Sequence, residues 1–516
     1  MKSAWQALAR CPETIRSLPE GNFQERQYSW LLNCLQRNAA TEYGARYDFE
    51  MIASPDEYRK HVPLVTYEDI RPWIDRLLRG QKDIVFKGAA VAFEETGGSQ
   101  GQNKLIPYSS SSLEDFRTAL RPWLSELITT HALTEGSIYV SVSPDLRKSR
   151  YFGRTEIPLG LSDAAYLGDD TALPLRKLSV APHWIKEVFD VREWQLATLY
   201  WLVRHDDLAL ISVWSPTFFM NFLELLSERS SEIELLLSRG GSVSTHRLDA
   251  DPAALRRFRV YLDVQDTAVL WPRLKLVSCW RDASSKPFFQ TLEKRLSHAT
   301  FQPKGIIATE GVVTVPDREG HPLVAADSGF FEFLDADDRS LLSAELDEGK
   351  EYEIVMTTAG GLYRYRTGDC VLFEGYRRGI PELRFTGRKG LCSDIVGEKL
   401  TEAFVASCLD GFPGFRMLIP FLKQKPGYML VIDALQRERY PDHPEKICEH
   451  LLFRNPQYRY ARNIGQLDSL QLLAVKRPLQ MYIDHMVDEG MKPGDIKVPA
   501  LRPEMHWTET FMKDRS

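Results

Sequence analysis

The segment Thr96-Gly97-Gly98-Ser99-Gln100-Gly101, followed by Lys104, has the residue types that hold a polyphosphate. Its glycines let backbone N–H groups approach phosphate oxygens closely. Thr96 and Ser99 add hydroxyl donors, and Lys104 adds a mobile positive charge. The segment is not a Walker A loop, which needs Gly-Lys-Ser/Thr in succession, nor a Gly-x-Gly-x-x-Gly turn. Thr309-Glu310-Gly311 follows the apolar Ile306-Ile307 pair. At the exit of a buried strand, Glu310 is placed to ligate Mg²⁺ between phosphates while Thr309 donates to one of them. Thr367-Gly368-Asp369 reads as a turn between strands, with a carboxylate able to accept from both ribose hydroxyls. Gly387-Arg388 reads as a hinge whose arginine reaches back to the nucleotide. Lys497, in a proline-flanked loop, would enter the phosphate site when a small domain closes. Their order along the chain describes an enzyme that joins a carboxylic acid to the nucleoside monophosphate of ATP.

Each island has a plain alternative: a glycine-rich hairpin turn, an exposed strand-end acid, a turn aspartate, a solvated basic turn and a surface lysine. Arg364 and Arg366 share a strand face, and either can be a salt-bridge partner alone. Leu120, Trp123, Trp214, Phe218 and Trp280, with Phe219, are candidates to wall an apolar acid pocket, although aromatics at such spacing are more often core. No His-x-x-x-His, His-Glu-x-x-His or Gly-x-Ser-x-Gly grouping occurs, which argues against a catalytic zinc or a serine-hydrolase elbow.

The elements that must position these groups alternate. Helical patterns dominate to about residue 85, with Gln24 to Asn38 spaced for packing on a core. Strand-like runs at Ala89–Phe93 and Lys104–Tyr108 flank the glycine-rich segment. A helix follows, with Ser111 and Glu114 at capping-box spacing and Pro122 expected to kink or shorten it. Ser137–Val142, Leu208–Trp214 and Leu274–Cys279 read as strands between helices, the signature of an α/β layer. After Gly329 short strands predict a β-subdomain. Beyond Arg388 a smaller α+β unit is expected, so the division is set at 1–387 and 388–516.

A chain of 516 residues exceeds what one core usually supports. With 43% hydrophobic and 26% charged residues it reads as an ordinary soluble protein, and a formal charge of -6 argues against a nucleic-acid binder. Seven scattered cysteines without a Cys-x-x-Cys pair suggest reduced thiols. No signal-peptide core or membrane-length apolar run is read, so the expected setting is the cytoplasm.

The islands resemble the acyl acid–amido synthetases, the plant auxin-responsive and jasmonate-conjugating type, in their bacterial branch. That family lies within the adenylate-forming superfamily of acyl-CoA synthetases and luciferases. The likeness includes Asn38-Ala39-Ala40-Thr41-Glu42-Tyr43-Gly44, Phe331-Glu332-Phe333, Gly361 to Asp369, Phe385-Thr386-Gly387-Arg388-Lys389 and Asp495-Ile496-Lys497-Val498-Pro499. It implies a large N-terminal α/β domain with a β-subdomain and a small C-terminal α+β lid. It also implies a phosphate loop at Thr96–Gly101 with Lys104, a phosphate and Mg²⁺ segment at Thr309-Glu310, a ribose aspartate at Asp369 and a late lysine at Lys497. The implied reaction makes an acyl-AMP with release of pyrophosphate, then an amide with an amine, typically an amino acid. Two departures stand out. Ile306 occupies the place where the superfamily often has an adenine-stacking aromatic, and Gly98 replaces a hydroxyl residue of the usual loop. The rival acceptor is a thiol, coenzyme A or a carrier protein. A non-catalytic nucleotide-binding regulator is the rival of another class, disfavoured by retention of Glu310, Asp369 and Lys497. No nucleic-acid, membrane or obligate protein partner is expected.

Overall fold

The computed structural model describes residues 1–10, 23–96, 104–142, 158, 160–161, 166–389, 391–422 and 425–512. Among these, two sheets set the frame of a large N-terminal domain. The first is parallel, with strands in the order Ser137–Val140, Leu208–Ser212, Leu276–Cys279, Thr300–Pro303. Its strands are near-continuously apolar because helices cover them, as parallel connections require. The helices Val191–Arg204 and Pro216–Glu228 bury Trp194, Tyr200, Phe219 and Phe222 in that core.

The second sheet is antiparallel, in the order Ser340–Leu341, Phe330–Leu334, Glu351–Thr357, Tyr365–Arg377, Ile380–Arg388, Pro322–Val324, Thr314–Pro316. It packs under the N-terminal helices, among them Phe23–Asn38, in a core holding Leu31, Tyr58, Phe331 and Tyr363. The smaller C-terminal domain has a three-stranded sheet. Arg416–Phe421 runs antiparallel to Gly427–Asp433, which pairs parallel with Gln471–Val475. One face of this sheet joins the core of the parallel layer: Met417, Val431 and Tyr482 belong to the same buried cluster as Trp194 and Phe218.

Local readings differ from the structure at several points. The helix after Lys104–Tyr108 spans Ser110–Thr130 and is capped two residues earlier than expected. Ser109 and Ser112 form its capping box, and it continues through Pro122. Ile306 and Ile307 are not a buried strand; the strand ends at Pro303, and Ile307 only bridges to Val312. Thr367-Gly368-Asp369 is not a turn between two strands but part of the single strand Tyr365–Arg377. Glycine and aspartate are poor strand formers, which made the tripeptide look like a break. Pairing absorbs it through a register shift after Cys370. Arg364 stands just outside that strand with φ +50°.

Candidate active site

Glu310 is carried by a tight turn. Ala308 and Gly311 exchange backbone hydrogen bonds of 3.0 and 3.2 Å, closing a short loop behind the parallel sheet's last strand. Gly305 permits the return path: a Cβ there would lie 2.1 Å from the Thr314 carbonyl oxygen, so no other residue fits without a backbone shift. Tyr108 donates its hydroxyl to the carbonyl of Thr309 and so ties this turn to the strand that begins at Lys104.

Asp369 comes from the other sheet. It is the register partner of Arg388 on the neighbouring strand, and Arg388 Nε donates to Asp369 Oδ1 at 2.7 Å. Its own N–H donates to Thr367 Oγ1 at 3.0 Å, and Thr367 in turn donates to the Ile354 carbonyl, so the carboxylate is held from behind. Lys104 lies beside Tyr365: Nζ donates to the phenol oxygen at 3.3 Å and sits over the Tyr67 ring at 5.6 Å. Thr96 and Lys104 are register partners in the hairpin that brackets the glycine-rich segment. Gly97, Gly98, Ser99 and Gly101 lie outside the described residues.

Lys497 follows the short Pro493–Asp495 turn. Leu418 and Ala500 share a 2.7 Å backbone hydrogen bond, and Arg502 N–H donates to the Leu418 carbonyl, so the segment is laced to the small sheet. Lys497 Nζ projects over Trp280 at 4.2 Å and Phe385 at 5.9 Å, both residues of the large domain. Glu402 accepts from Ala500 N–H at 3.1 Å and stands 3.0 Å from where a Cβ of Gly387 would be. With φ +150°, Gly387 is therefore confined by conformation and by contact.

Charge coupling shows that these groups share one space. Glu310 and Asp369 are each only 8% exposed. Burial pushes the Glu310 carboxyl up, opposed by Arg388 and reinforced by Asp369. Lys104 is pulled down by burial against the attraction of Glu310. Lys497 is pulled down by desolvation and then by Arg388, with Asp369 and Glu310 acting against this. Its side chain still meets solvent, which tempers the desolvation. Arg388 is held firmly protonated, first by Asp369. Thus Lys104, Glu310, Asp369, Arg388 and Lys497, drawn from both domains, lie within electrostatic reach of one another.

The donor set suits a magnesium triphosphate. Among the described residues no group of three or more His, Cys, Asp or Glu could hold a metal by itself. One buried carboxylate is nonetheless enough for a Mg²⁺ whose other ligands are phosphates and water, and the neighbouring cations suit the phosphates.

The five candidates for the acid pocket separate. Trp214 and Trp280 follow the adjacent parallel strands Leu208–Ser212 and Leu276–Cys279, joined by a 2.8 Å backbone bond with ring centroids 5.8 Å apart. Both, with Trp123, keep some exposed surface, whereas Leu120 and Phe218 are packed in the core. Phe218 lies against Trp194 and Phe222. Arg364 and Arg366 are both salt-bridged, to Glu332 and to Glu353 with Asp338. Sequence reasoning missed Tyr365, Glu402 and Lys304. Tyr365 stood in a quoted motif, but its place beside Lys104 shows only in the structure.

The GH3 family N-terminal domain matches residues 20–301, and the GH3 family central domain matches residues 323–388. The chain belongs to the GH3 family. Indole-3-acetic acid-amido synthetase GH3.2 of Arabidopsis thaliana is 23% identical, over 72% of this chain and 74% of that protein. The jasmonoyl–L-amino acid synthetase JAR6 of Nicotiana attenuata is 22% identical, over 92% and 90%. The AtGH3.15 acyl acid amido synthetase, solved in complex with 2,4-DB, superposes with a TM-score of 0.82 at 19% identity, covering 99% of this chain and 96% of that one. A 2-hydroxyisobutyryl-CoA ligase in its postadenylation state shares the fold more distantly: TM-score 0.52, 11% identity, 99% and 91% covered. The GH3 chain thus has the adenylate-forming fold. No helix among the described residues is long and apolar enough to cross a membrane.

Proposed function

We propose that this GH3 protein adenylates a carboxylic acid with ATP and passes the acyl group to the amine of an amino acid. What supports the reading is that Glu310, Asp369 and Arg388 lie within electrostatic reach of Lys104 and Lys497, with Arg388 hydrogen-bonded to Asp369. Asp369 accepts from the ribose hydroxyls, and Arg388 orients that carboxylate. Thr96, Gly97, Gly98, Ser99 and Gly101 hold phosphate oxygens with Lys104. Thr309 binds phosphate, and Glu310 holds Mg²⁺, which when bound neutralises phosphate charge.

In the first step an acid oxygen attacks the α-phosphorus, the bond to the β-phosphate oxygen breaks, and pyrophosphate leaves. Lys497 stabilises the negative charge that grows at the α-phosphate, where a preorganised cation in a partly enclosed site is most effective. In the second step the amine nitrogen bonds to the acyl carbon, the acyl carbon's bond to the bridging anhydride oxygen breaks so that AMP departs with that oxygen, and the amine proton passes to phosphate or solvent. Residues 388–516 act as the lid, turning about Gly387-Arg388 and carrying Lys497 in and out. Scattered cysteines support a reducing, cytoplasmic setting.

Incubation with ATP, Mg²⁺, an acid and either amino acids or coenzyme A, followed by mass analysis, tests the acceptor. An acyl amide and AMP are expected; a thioester with no amide would refute the acceptor assignment.

A further inference from the structure

Trp280 directly follows the parallel strand Leu276–Cys279. Its backbone is fixed from both neighbouring strands: its N–H donates to the Trp214 carbonyl at 2.8 Å, and the Cys279 carbonyl accepts from Lys304 N–H at 2.9 Å. Its ring packs against that of Trp214 with centroids 5.8 Å apart. The indole is therefore a rigid part of the large domain, yet it keeps some exposed surface.

That surface meets a residue of the other domain. Lys497 is held at its main chain by the C-terminal domain, where the Tyr482 hydroxyl donates to the Lys497 carbonyl at 3.1 Å. Its ammonium crosses to the large domain and stands 4.2 Å from the Trp280 ring centroid. Phe385, on the strand Ile380–Arg388, lies 5.9 Å from the same ammonium. Asp369 and Glu310 attract Lys497 from a distance, and Arg388 repels it.

A lysine on a long flexible stem loses much rotamer freedom when it is fixed, and fixing it before the reaction removes that cost from the chemical step. An aromatic face suits the task. It attracts a cation through its quadrupole, tryptophan most strongly, and needs no counter-charge. A carboxylate in its place would form a stronger, charge-assisted bond and would compete with phosphate for the ammonium.

We propose that Trp280 docks Lys497: its ring face receives the ammonium when the C-terminal domain is closed and holds it beside Glu310 and Asp369. Trp280 is then a positioning residue for adenylation, acting through Lys497, and not a wall of the acid pocket. The inference rests on the role given to Lys497 above.

The test is ATP–pyrophosphate exchange by the full chain with a panel of acids. Trp280→Leu should lower kcat about fivefold or more, by a similar factor for every acid the wild type accepts, while KM for ATP and for the acid stays within about twofold. Trp280→Phe, which keeps a smaller ring face, should lie between the leucine variant and the wild type. In a Lys497→Ala background, Trp280→Leu should cost less than about twofold more, because the ammonium it serves is already gone. A tryptophan fluorinated around its benzo ring, installed at position 280 alone, keeps the shape and weakens the ring face; it should lower kcat about threefold or more. A wild-type kcat with that residue overturns the proposal even if the leucine variant does not fold. A raised KM for the acid with unchanged kcat would return Trp280 to the acid pocket, and an undiminished loss in the Lys497→Ala background would show that it does not act through Lys497. If Lys497→Ala itself leaves exchange unchanged, the role of Lys497 falls and this inference with it; if Lys497→Ala slows exchange and Trp280→Leu does not, only this inference falls.

Discussion

Asp369 and Arg388 face one another across adjacent antiparallel strands, joined by a 2.7 Å hydrogen bond from Nε to Oδ1. The pair sits where the large domain's second sheet gives way to the C-terminal domain. It links the proposed ribose carboxylate directly to the proposed hinge.

Replacing Asp369 with alanine should weaken ATP binding at least tenfold, because the nucleoside loses a charged acceptor and Arg388 loses its partner. Calorimetric titration with Mg-ATP checks this. An unchanged affinity would remove the ribose role.

Lys497→Ala should slow adenylation more than tenfold, or about 1.4 kcal/mol and above, with a milder effect on ATP binding. The lowered pKa of Lys497 adds a pH signature. Its proton leaves at a pH below that of an ordinary lysine, so kcat/KM for ATP should fall on the alkaline side before the usual lysine range. Lys497→Arg, which stays protonated, should move that limb upward. A limb that does not move would show that another group titrates.

The site should also be a burden on stability. Glu310 has a raised pKa, so the folded chain binds more protons than the unfolded one above the ordinary glutamate value, and stability falls as pH rises through that window. Glu310→Gln should therefore raise the unfolding midpoint of the nucleotide-free protein by about 2 °C while lowering activity. A lower midpoint would mean that its attraction to Arg388 and Lys104 outweighs burial.

How much of this was readable beforehand depended on the kind of contact. Glu310 and Lys497 stood out as candidates because each sits in a short segment of distinctive residue types. The α/β alternation was legible because strand and helix periods differ. Register was not. Asp369 meets Arg388 only because a shift after Cys370 sets the pairing, and a sequence shows no bulge. Lys304 carried no signal in the sequence; the rings it lies against, Trp123 and Trp214, are both remote along the chain. Ser111 with Glu114 has the capping-box spacing, yet Ser109 with Ser112 forms the cap, a choice among four neighbouring serines that the spacing does not settle.

Arg364 tests the frame behind the site. Its guanidinium bonds to Glu332 at 2.8 Å, with side chains only 6% and 1% exposed, and donates at 2.7 Å to the carbonyls of Arg59 and Val62. Arg364→Met strands a buried carboxylate and should cost about 3–5 kcal/mol. Adding Glu332→Leu should recover much of that loss. Denaturant unfolding of the two variants checks it, and a double variant no more stable than the single one would place the loss in the two carbonyl contacts.

Acid-dependent ATP–pyrophosphate exchange across aromatic, indolic and aliphatic acids addresses the central claim most directly. Label should pass from pyrophosphate into ATP only when a suitable acid is present, and Asp369→Ala and Lys497→Ala should each reduce it. No exchange with any acid in a broad panel, from folded protein that binds ATP, would contradict the account.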